Sequence, residues 1–235
     1  TIVAPSPLPD LNVGVVPREL STAEIEALVE AFGQAARRAK EAGFDAVEIH
    51  GAHGYLINQF LSPWFNRRED AYGGTLERRM RFALEVVHCV RQRVGPDFPL
   101  GFRLVGEEMP LGSGLRLKDT VEIARRLAEA GIDMLHVSVG NVGPSLGLVV
   151  APMAMDRGFN VYAAAAIKRA VAIPVIAVGR INDVHLAAQI VRDGHADLVA
   201  MGRASLADPE FPRKAAEGRL DEIRHCFGCA DALSG

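Results

Sequence analysis

The sequence contains little cysteine, no long apolar run and no marked excess of charge of one sign. Its three cysteines in 235 residues are too few for a disulfide framework, which favours a reducing, cytoplasmic setting. No apolar run approaches the roughly 20 residues that a membrane-spanning helix needs, and the Pro-rich start lacks the layout of a signal peptide. With 26 basic and 29 acidic residues, nothing in the charge favours nucleic acid. We therefore expect neither membrane nor nucleic acid as a partner.

Hydrophobic residues make up 49% of the chain, enough for the core of one globular domain. They recur in a repeated pattern of an amphipathic helix followed by a short apolar strand. The spacing predicts helices over residues 22–42, 76–94, 117–130, 160–171, 183–193 and 208–217. The predicted strands lie at residues 46–50, 99–104, 134–138, 174–178 and 197–201.

Short apolar strands bounded by turn residues are typical of buried parallel strands, which form either a doubly wound sheet or a closed barrel. No GxGxxG motif follows a strand, so the dinucleotide-binding version of the doubly wound sheet lacks its anchor. Polar and glycine residues come just after the strands, at the edge where barrel enzymes place their active sites. The sequence therefore predicts an α/β fold, a TIM (β/α)8 barrel represented by about five C-terminal strand–helix units.

Five strands cannot close a barrel of eight, and the chain opens with a segment that reads as a loop leading straight into a helix. We therefore expect three N-terminal strand–helix units to be missing from this sequence. A free chain of this kind would expose unpaired strand edges. We expect it to associate, for example as a homo-oligomer, rather than to stay monomeric.

The most informative stretch is EIHGAHGYLINQFLSPWF, which begins at residue 48. His50 ends a predicted strand, and His53 and Tyr55 follow in the loop, so two imidazoles and a phenol come together on the catalytic face. An imidazole can donate a hydrogen bond to a substrate oxygen, and a tyrosine can act as a general acid towards a carbanion-like carbon. A single loop histidine would more simply bond to backbone groups, but this clustering favours a catalytic role.

The stretch resembles the substrate-binding loop of the old yellow enzyme family of NAD(P)H:flavin oxidoreductases. The resemblance implies that His50 and His53 hold a substrate carbonyl and that Tyr55 protonates the carbon. It extends from APSPLP to CFGC and is weakest over residues 141–159, a loop interpreted as lining the substrate entrance. Further matching residues are interpreted as loop scaffolding or as a solvated basic helix face: Asn58, Gln59, Asp70, Gly73, Gly74, Arg79 and Arg81.

Arg103 stands at the inner end of a predicted strand, where a buried charge needs a partner. The resemblance implies that this partner is the N1–C2 edge of a flavin, and a salt bridge within the barrel is the alternative. Glycine–arginine pairs follow the last two strands, where many barrels bind phosphate. Glycine allows close approach of the backbone, and arginine pairs with phosphate.

The spacing of these pairs, Gly179-Arg180 and Gly202-Arg203, indicates a phosphate-binding barrel and no more. The segments IPVIAVGRIND and ADLVAMGRASLADP resemble those that hold the FMN phosphate in the family. The resemblance thus implies that residues 1–225 are a partial FMN-binding barrel domain. Without the three missing units, we expect the chain not to bind FMN tightly.

The motif CFGC, with Cys226 and Cys229, resembles the start of a four-cysteine [4Fe–4S] segment. This segment occurs in the branch of 2,4-dienoyl-CoA reductases, 2-enoate reductases and trimethylamine dehydrogenase. Residues 226–235 would then begin an iron–sulfur segment, but the position of the third cysteine holds Leu233. A cluster needs four thiolates, and this sequence supplies two there, so two unligated terminal cysteines are the alternative.

The resemblance implies an FMN-dependent ene-reductase that reduces the activated C=C bond of an enone, enoate or enoyl thioester. NADH or NADPH would be the electron donor, and the substrate would be a small unsaturated carbonyl compound. Two alternatives remain open. The first is another FMN-dependent barrel oxidase or dehydrogenase, such as an amine dehydrogenase, which would need the arginines but not His50, His53 and Tyr55 together. The second is a truncated, non-catalytic remnant.

Overall fold

The structure is a computed structural model, and it describes residues 2–10, 14–108, 113–141 and 146–229. The strands are β1 (Val3–Ala4), β2 (Arg18–Glu19), β3 (Val47–Gly51), β4 (Leu100–Val105), β5 (Met134–Ser138), β6 (Val175–Ala177) and β7 (Leu198–Val199). The helices are α1 (Thr22–Glu41), α2 (Leu56–Leu61), α3 (Leu76–Val94), α4 (Leu117–Glu129), α5 (Leu146–Val149), α6 (Val161–Lys168), α7 (Val184–Arg192), α8 (Arg203–Ala207) and α9 (Phe211–Ala216), followed by a 3-10 turn at Leu220–Glu222.

Strands β3 to β7 form one parallel sheet in which each strand pairs with the next along the chain. A doubly wound sheet reverses its strand order at a switch point, and this sheet has no reversal. Each neighbouring pair is connected through at least one helix, as parallel strands require. The five predicted strand–helix units are therefore present and are ordered as in a barrel.

Alternation along the strands separates an apolar face from a polar one. Residues such as Ile49, Phe102 and Leu135 are buried on the face that packs against the helices. The opposite face carries His50 on β3, Arg103 on β4 and His136 on β5. Arg103 is in register with both of the histidines. One row of functional side chains thus crosses three strands on the face that lines the inside of a barrel.

The two longest helices begin and end where their sequences predict. A capping box between Ser21 and Glu24 starts α1, and the Thr75 side chain caps α3. Gly95, with φ of 85°, ends α3. Helices α1 and α3 pack against each other outside the sheet. Among the described residues, no helix is both long enough and apolar enough to cross a membrane.

The opening segment is not entirely a loop, as the sequence suggested, because β1 and β2 form a short parallel pair. The buried Arg68 side chain holds this pair in place by donating hydrogen bonds to the carbonyls of Pro5 (3.1 Å) and Leu20 (2.7 Å). Asp70, which the sequence assigned to scaffolding, in turn accepts from Arg68 at 2.6 Å. Two residues per strand are too few to produce a period-2 pattern, so sequence periodicity could not reveal them.

Three short helices, α2, α5 and α8, also escaped prediction, and α5 lies within residues 141–159, which were interpreted from the sequence as a loop. They have six, four and five residues, shorter than the window in which a 3.6-residue period can be recognised. Strands β6 and β7 have three and two residues rather than the five predicted for each. Helices α2 and α8 directly follow the predicted functional motifs, so they lie beside the candidate site.

Gly51, the last residue of β3, gives a test of this packing. A Cβ atom on Gly51 would lie 2.3 Å from the Phe102 ring and 3.1 Å from the Arg103 carbonyl oxygen. We expect Gly51→Ala to lower the free energy of unfolding by about 1–3 kcal/mol, as overpacking typically does. The measurement is urea denaturation followed by circular dichroism.

Gly147→Ala is the matched control, because its Cβ would meet nothing within 4 Å. We expect this variant to unfold close to the wild-type midpoint. Equal midpoints for Gly51→Ala and the wild type would show that β3 and β4 do not approach as closely as described.

Candidate functional site

The loop after β3 turns back through two residues in the left-handed region, His53 (φ 63°) and Gly54 (φ 77°). Helix α2 fixes this turn from both sides of the Gly54 residue. The Gly54 N–H donates to Asn58 Oδ1 at 2.6 Å, and the Gln59 side chain donates to the Gly54 carbonyl at 2.8 Å. Asn58 and Gln59 therefore hold the backbone between the two candidate residues, in agreement with their interpretation as scaffolding.

The structure brings His50, His53 and Tyr55 together. The His50 ring centroid lies 5.2 Å from that of His53 and 5.3 Å from that of Tyr55. His53 is only 7% exposed, whereas Tyr55 is 54% exposed. His53 Nε2 is 2.7 Å from the hydroxyl oxygen of Ser138 at the end of β5. The cluster therefore presents a held imidazole and an accessible phenol on the same side of the sheet.

Both imidazoles are kept neutral by their surroundings. Burial, together with the smaller effect of the positive charge of Arg103, lowers the pKa of His53 to about 3. Burial and Arg103 likewise lower the pKa of His50, although the Glu48 carboxylate opposes them. At neutral pH each ring has one N–H and one unprotonated nitrogen. Each can thus donate a single hydrogen bond without bringing a positive charge.

Arg103 is the fourth of the six residues of β4 rather than its last residue. It faces the same side as His50, and its pKa is lowered by burial, with Glu48 acting in the opposite direction. Its Nε atom has no hydrogen-bond partner, and within the described ranges no carboxylate forms an ion pair with it. The alternative of a salt bridge within the barrel therefore has no such contact to support it.

All the residues that the sequence assigned to a cofactor line one cavity of about 280 Å³ at the carboxyl ends of the strands. Ser138, which contacts His53, also lines it, so the cavity adjoins the histidine–tyrosine cluster. Residues 148–151 and Cys226 also line the cavity. The carbonyls of Ala151 and Met155 accept hydrogen bonds from Arg203 and Arg180. The predicted cofactor residues that line this cavity are Arg103, Gly179, Arg180, Gly202 and Arg203.

The arginines in the cavity wall have unused donors. Arg180, itself in the left-handed region (φ 51°), donates from Nη1 to the Met155 carbonyl, while its Nε has no partner. Arg203 donates from Nη2 to the Ala151 carbonyl at 2.8 Å, while its Nη1 has no partner. With Arg103 Nε, three buried arginine N–H groups at one cavity lack acceptors. Buried donors are rarely left unpaired, so these residues fit an anionic, phosphate-bearing cofactor.

The CFGC segment runs beside this cavity. The Asn182 side chain donates to the Cys226 carbonyl at 2.7 Å, and Cys226 lines the cavity. Cys229 is exposed, and both cysteines are free thiols. In the described part of the chain no group of three or more metal-ligating side chains comes together, and Leu233 lies outside it. Two thiolates do not complete a four-thiolate cluster, so the iron–sulfur site stays a prediction.

The parallel strand order, and a cavity lined by arginine donors beside two neutral histidines, fit the class of β/α-barrel proteins that bind a phosphate-bearing cofactor. The chain belongs to the NADH:flavin oxidoreductase / NADH oxidase family, whose model matches residues 5–222. This family binds FMN and uses NAD(P)H. The match confirms the family that the HGAHGY and glycine–arginine motifs predicted.

Individual proteins that are similar to this chain agree with the family match. The NADH oxidase of Thermoanaerobacter brockii is 49% identical over 97% of this chain and 35% of its own length. The structure of 2-naphthoyl-CoA reductase with 2-naphthoyl-CoA superposes with a TM-score of 0.92 at 33% identity, over 97% of this chain and 35% of the other. The structure of histamine dehydrogenase from Rhizobium sp. 4-9 superposes with a TM-score of 0.88 at 33% identity, over 99% of this chain and 34% of the other.

The chain thus spans about a third of the length of these proteins. Its five strand–helix units form part of a TIM (β/α)8 barrel, which confirms the predicted fold class. The described residues contain five strand–helix units, the number that the sequence predicted.

The buried His53 makes stability depend on pH. Its pKa is lowered from 6.5 to about 3 in the folded protein, so between these values the unfolded chain binds more protons than the folded one. The free energy of unfolding must therefore fall as the pH decreases from about 7 towards 3. We expect His53→Asn, which cannot titrate, to lose less stability over this range in urea titrations at several pH values.

The exposed His195 provides the control, because His195→Asn removes an imidazole that solvent already surrounds. We expect it to follow the wild-type pH dependence. Parallel loss of stability in the wild type and in His53→Asn would contradict a buried, neutral His53.

Arg203 tests the cofactor site. A charge-assisted hydrogen bond contributes about 1.5–3 kcal/mol, so we expect Arg203→Ala to weaken FMN binding by roughly 10- to 100-fold. The measurement is flavin fluorescence titration of the full-length apoprotein, which carries the complete barrel. Arg125→Ala, which removes an exposed arginine from α4, should bind FMN like the wild type, and full FMN retention by Arg203→Ala would rule out the assignment.

Proposed function

We propose that this protein is an FMN-dependent oxidoreductase that reduces a C=C bond conjugated to a carbonyl group, using NADH or NADPH. The substrate class is an enone, enoate or enoyl thioester. The observation that carries this proposal is the pair of neutral imidazoles beside an exposed phenol, next to a cavity with three unpaired arginine donors.

His50 and His53 bind and activate the substrate carbonyl in this proposal. As the bond is reduced, negative charge develops on the carbonyl oxygen, and hydrogen bonds to it strengthen in the transition state. Two neutral imidazoles suit this role, because each offers an N–H to the oxygen. The Ser138 contact and the Asn58 contact to Gly54 fix His53 in position before substrate binds.

Tyr55 delivers the proton to the substrate carbon. Its ring packs beside His50, and its exposed position leaves the hydroxyl accessible to a substrate bound by the histidines. FMN, when bound, supplies the hydride that reaches the other carbon of the double bond. The proton and the hydride together saturate the bond.

Arg103, Arg180 and Arg203 hold the cofactor. Arg103 is in register with His50, so it would contact the flavin ring system next to the substrate. Positive charge there stabilises the electrons that the ring takes up on reduction. Arg180 and Arg203, with Gly179 and Gly202 beside them, bind the phosphate. Their partnerless N–H groups support this division.

An amine dehydrogenase is the alternative, and sequence identity does not decide against it. The 2-naphthoyl-CoA reductase, which is bound to an aromatic thioester in its structure, and the histamine dehydrogenase are both 33% identical to this chain. The histidine pair favours a carbonyl substrate. Two imidazole N–H groups can both donate to a carbonyl oxygen, whereas an amine substrate has no oxygen that would need them. The truncated-remnant alternative, the homo-oligomer and the cytoplasmic setting stay predictions.

Tyr55→Phe tests the mechanism. This change keeps the ring and its packing and removes only the acid. General acid catalysis is typically worth about 10²–10⁴-fold, so we expect alkene reduction to slow by roughly that factor. Reduction of the bound flavin by NAD(P)H should stay near normal, because it needs no proton on the substrate carbon. Rapid-mixing kinetics of the holoprotein measure the two half-reactions separately.

Tyr72→Phe is the control, since it removes a phenol hydroxyl that bonds Glu85 at 2.9 Å on the helical side of the sheet. Both half-reactions should be unchanged in this variant.

His50→Ala or His53→Ala should weaken substrate binding as well as rate. If Tyr55→Phe slows both half-reactions equally, or neither, Tyr55 is not the proton donor; oxidation of amines but not reduction of enones would favour the alternative.

A further inference from the structure

One hydrogen-bonded pair of side chains lies under the proposed site without a role in it. Glu48 on β3 and His136 on β5 form a contact across the intervening strand β4, with Glu48 Oε2 3.1 Å from His136 Nδ1. Their side chains are 35% and 13% exposed, on the same sheet face as His50 and Arg103. The pair therefore lies on the inner face of the barrel, beside the residues assigned to cofactor and substrate.

The Glu48 side chain passes over a glycine on its way across β4. Gly101 is in register with Glu48, and a Cβ there would lie 3.5 Å from Glu48 Cγ, in ordinary van der Waals contact. Glu48 thus extends diagonally across β4 to reach His136 on β5. Arg103 is two residues further along β4, directly between His50 and His136 in the register.

Glu48 is also the carboxylate that acts on Arg103. Its charge favours the charged guanidinium, in opposition to burial. Burial alone would raise the pKa of Glu48, but the hydrogen bond and charge of His136, with smaller effects of Arg103 and His50, lower it below its usual value. An ionised carboxylate thus lies near Arg103 and yet bonds to His136 instead.

We infer that His136 is a positioning residue that holds the Glu48 carboxylate away from Arg103 and so keeps the Arg103 guanidinium available to the flavin. The inference rests on the proposed function only in assigning Arg103 to the flavin. Its consequence is electrostatic. An arginine that pairs with a carboxylate presents less positive charge to the cofactor, and a reduced, negatively charged cofactor is then less stabilised.

The test is a double-mutant cycle in the full-length, flavin-loaded protein, which carries the complete barrel. His136→Leu removes the donor that holds Glu48, so Glu48 turns to Arg103. We expect FMN to bind about 10-fold more weakly and the midpoint potential of the bound FMN to become more negative. In the Glu48→Gln background there is no carboxylate to capture Arg103, so the same His136→Leu change should have no further effect on either quantity.

His136→Asn provides a conservative rescue, because its amide N–H₂ can take the place of the ring Nδ1–H. We expect its FMN affinity and potential to stay near those of the wild type. A merely structural role for His136 would instead make His136→Leu equally costly in the wild-type and Glu48→Gln backgrounds, and this additive outcome would overturn the inference.

A crystal structure of the His136→Leu apoprotein gives a readout that needs no cofactor. We expect a Glu48 carboxylate oxygen within about 4 Å of an Arg103 guanidinium nitrogen there, the usual limit for an ion pair, and a carboxylate that stays away from Arg103 would overturn the inference. None of these measurements uses an alkene substrate. If the protein oxidises amines instead, the proposed function fails while the cycle still decides the role of His136.

Discussion

The register of the parallel sheet is the constraint on which the rest of the structure depends. Arg103 on β4 is the register partner of His50 on β3 and of His136 on β5. The three side chains therefore form one row on the inner face. A slip of β4 by one residue would turn Arg103 to the helical side and remove it from this row. Gly51 fits tightly against the Phe102 ring just above this row, so packing on one face fixes the register that positions chemistry on the other.

Desolvation gives this row its chemical character. The barrel face buries an arginine beside two histidines, and positive charge in a poorly solvated place opposes further protonation. The same burial leaves arginine N–H groups around the cavity without acceptors. Neutral donors for a carbonyl and cationic donors for an anionic cofactor therefore arise side by side. Glu48, bonded to His136, adds a negative charge that the site holds at a distance from Arg103.

The loop after β3 shows how a short element can organise a site. Helix α2 is only six residues long, yet Asn58 and Gln59 bond both polar groups of Gly54. The left-handed turn at His53 and Gly54 would otherwise have little local support, since a non-glycine residue with positive φ is strained. Strain at His53 is thus offset by contacts from the helix that follows and from Ser138 on β5.

The sequence by itself determined the strand–helix pattern, the family and the residues of the candidate site. Long amphipathic helices such as α1 and α3 were readable because their periods extend over many residues. HGAHGY and the two glycine–arginine pairs predicted the family through their resemblance to its motifs, and their positions directly after predicted strands indicated a barrel site. The short elements β1, β2, α2, α5 and α8 were not predicted, since none is long enough to show a period.

Only the tertiary structure decided which groups face one another. It places Arg103 within β4 rather than at its end, beside His50 and without an ion-pair partner in the described residues. It joins Glu48 to His136 across Gly101, although 88 residues separate the two along the chain. Such contacts depend on the register between strands that are distant in the sequence, and register produces no local pattern that a sequence can display.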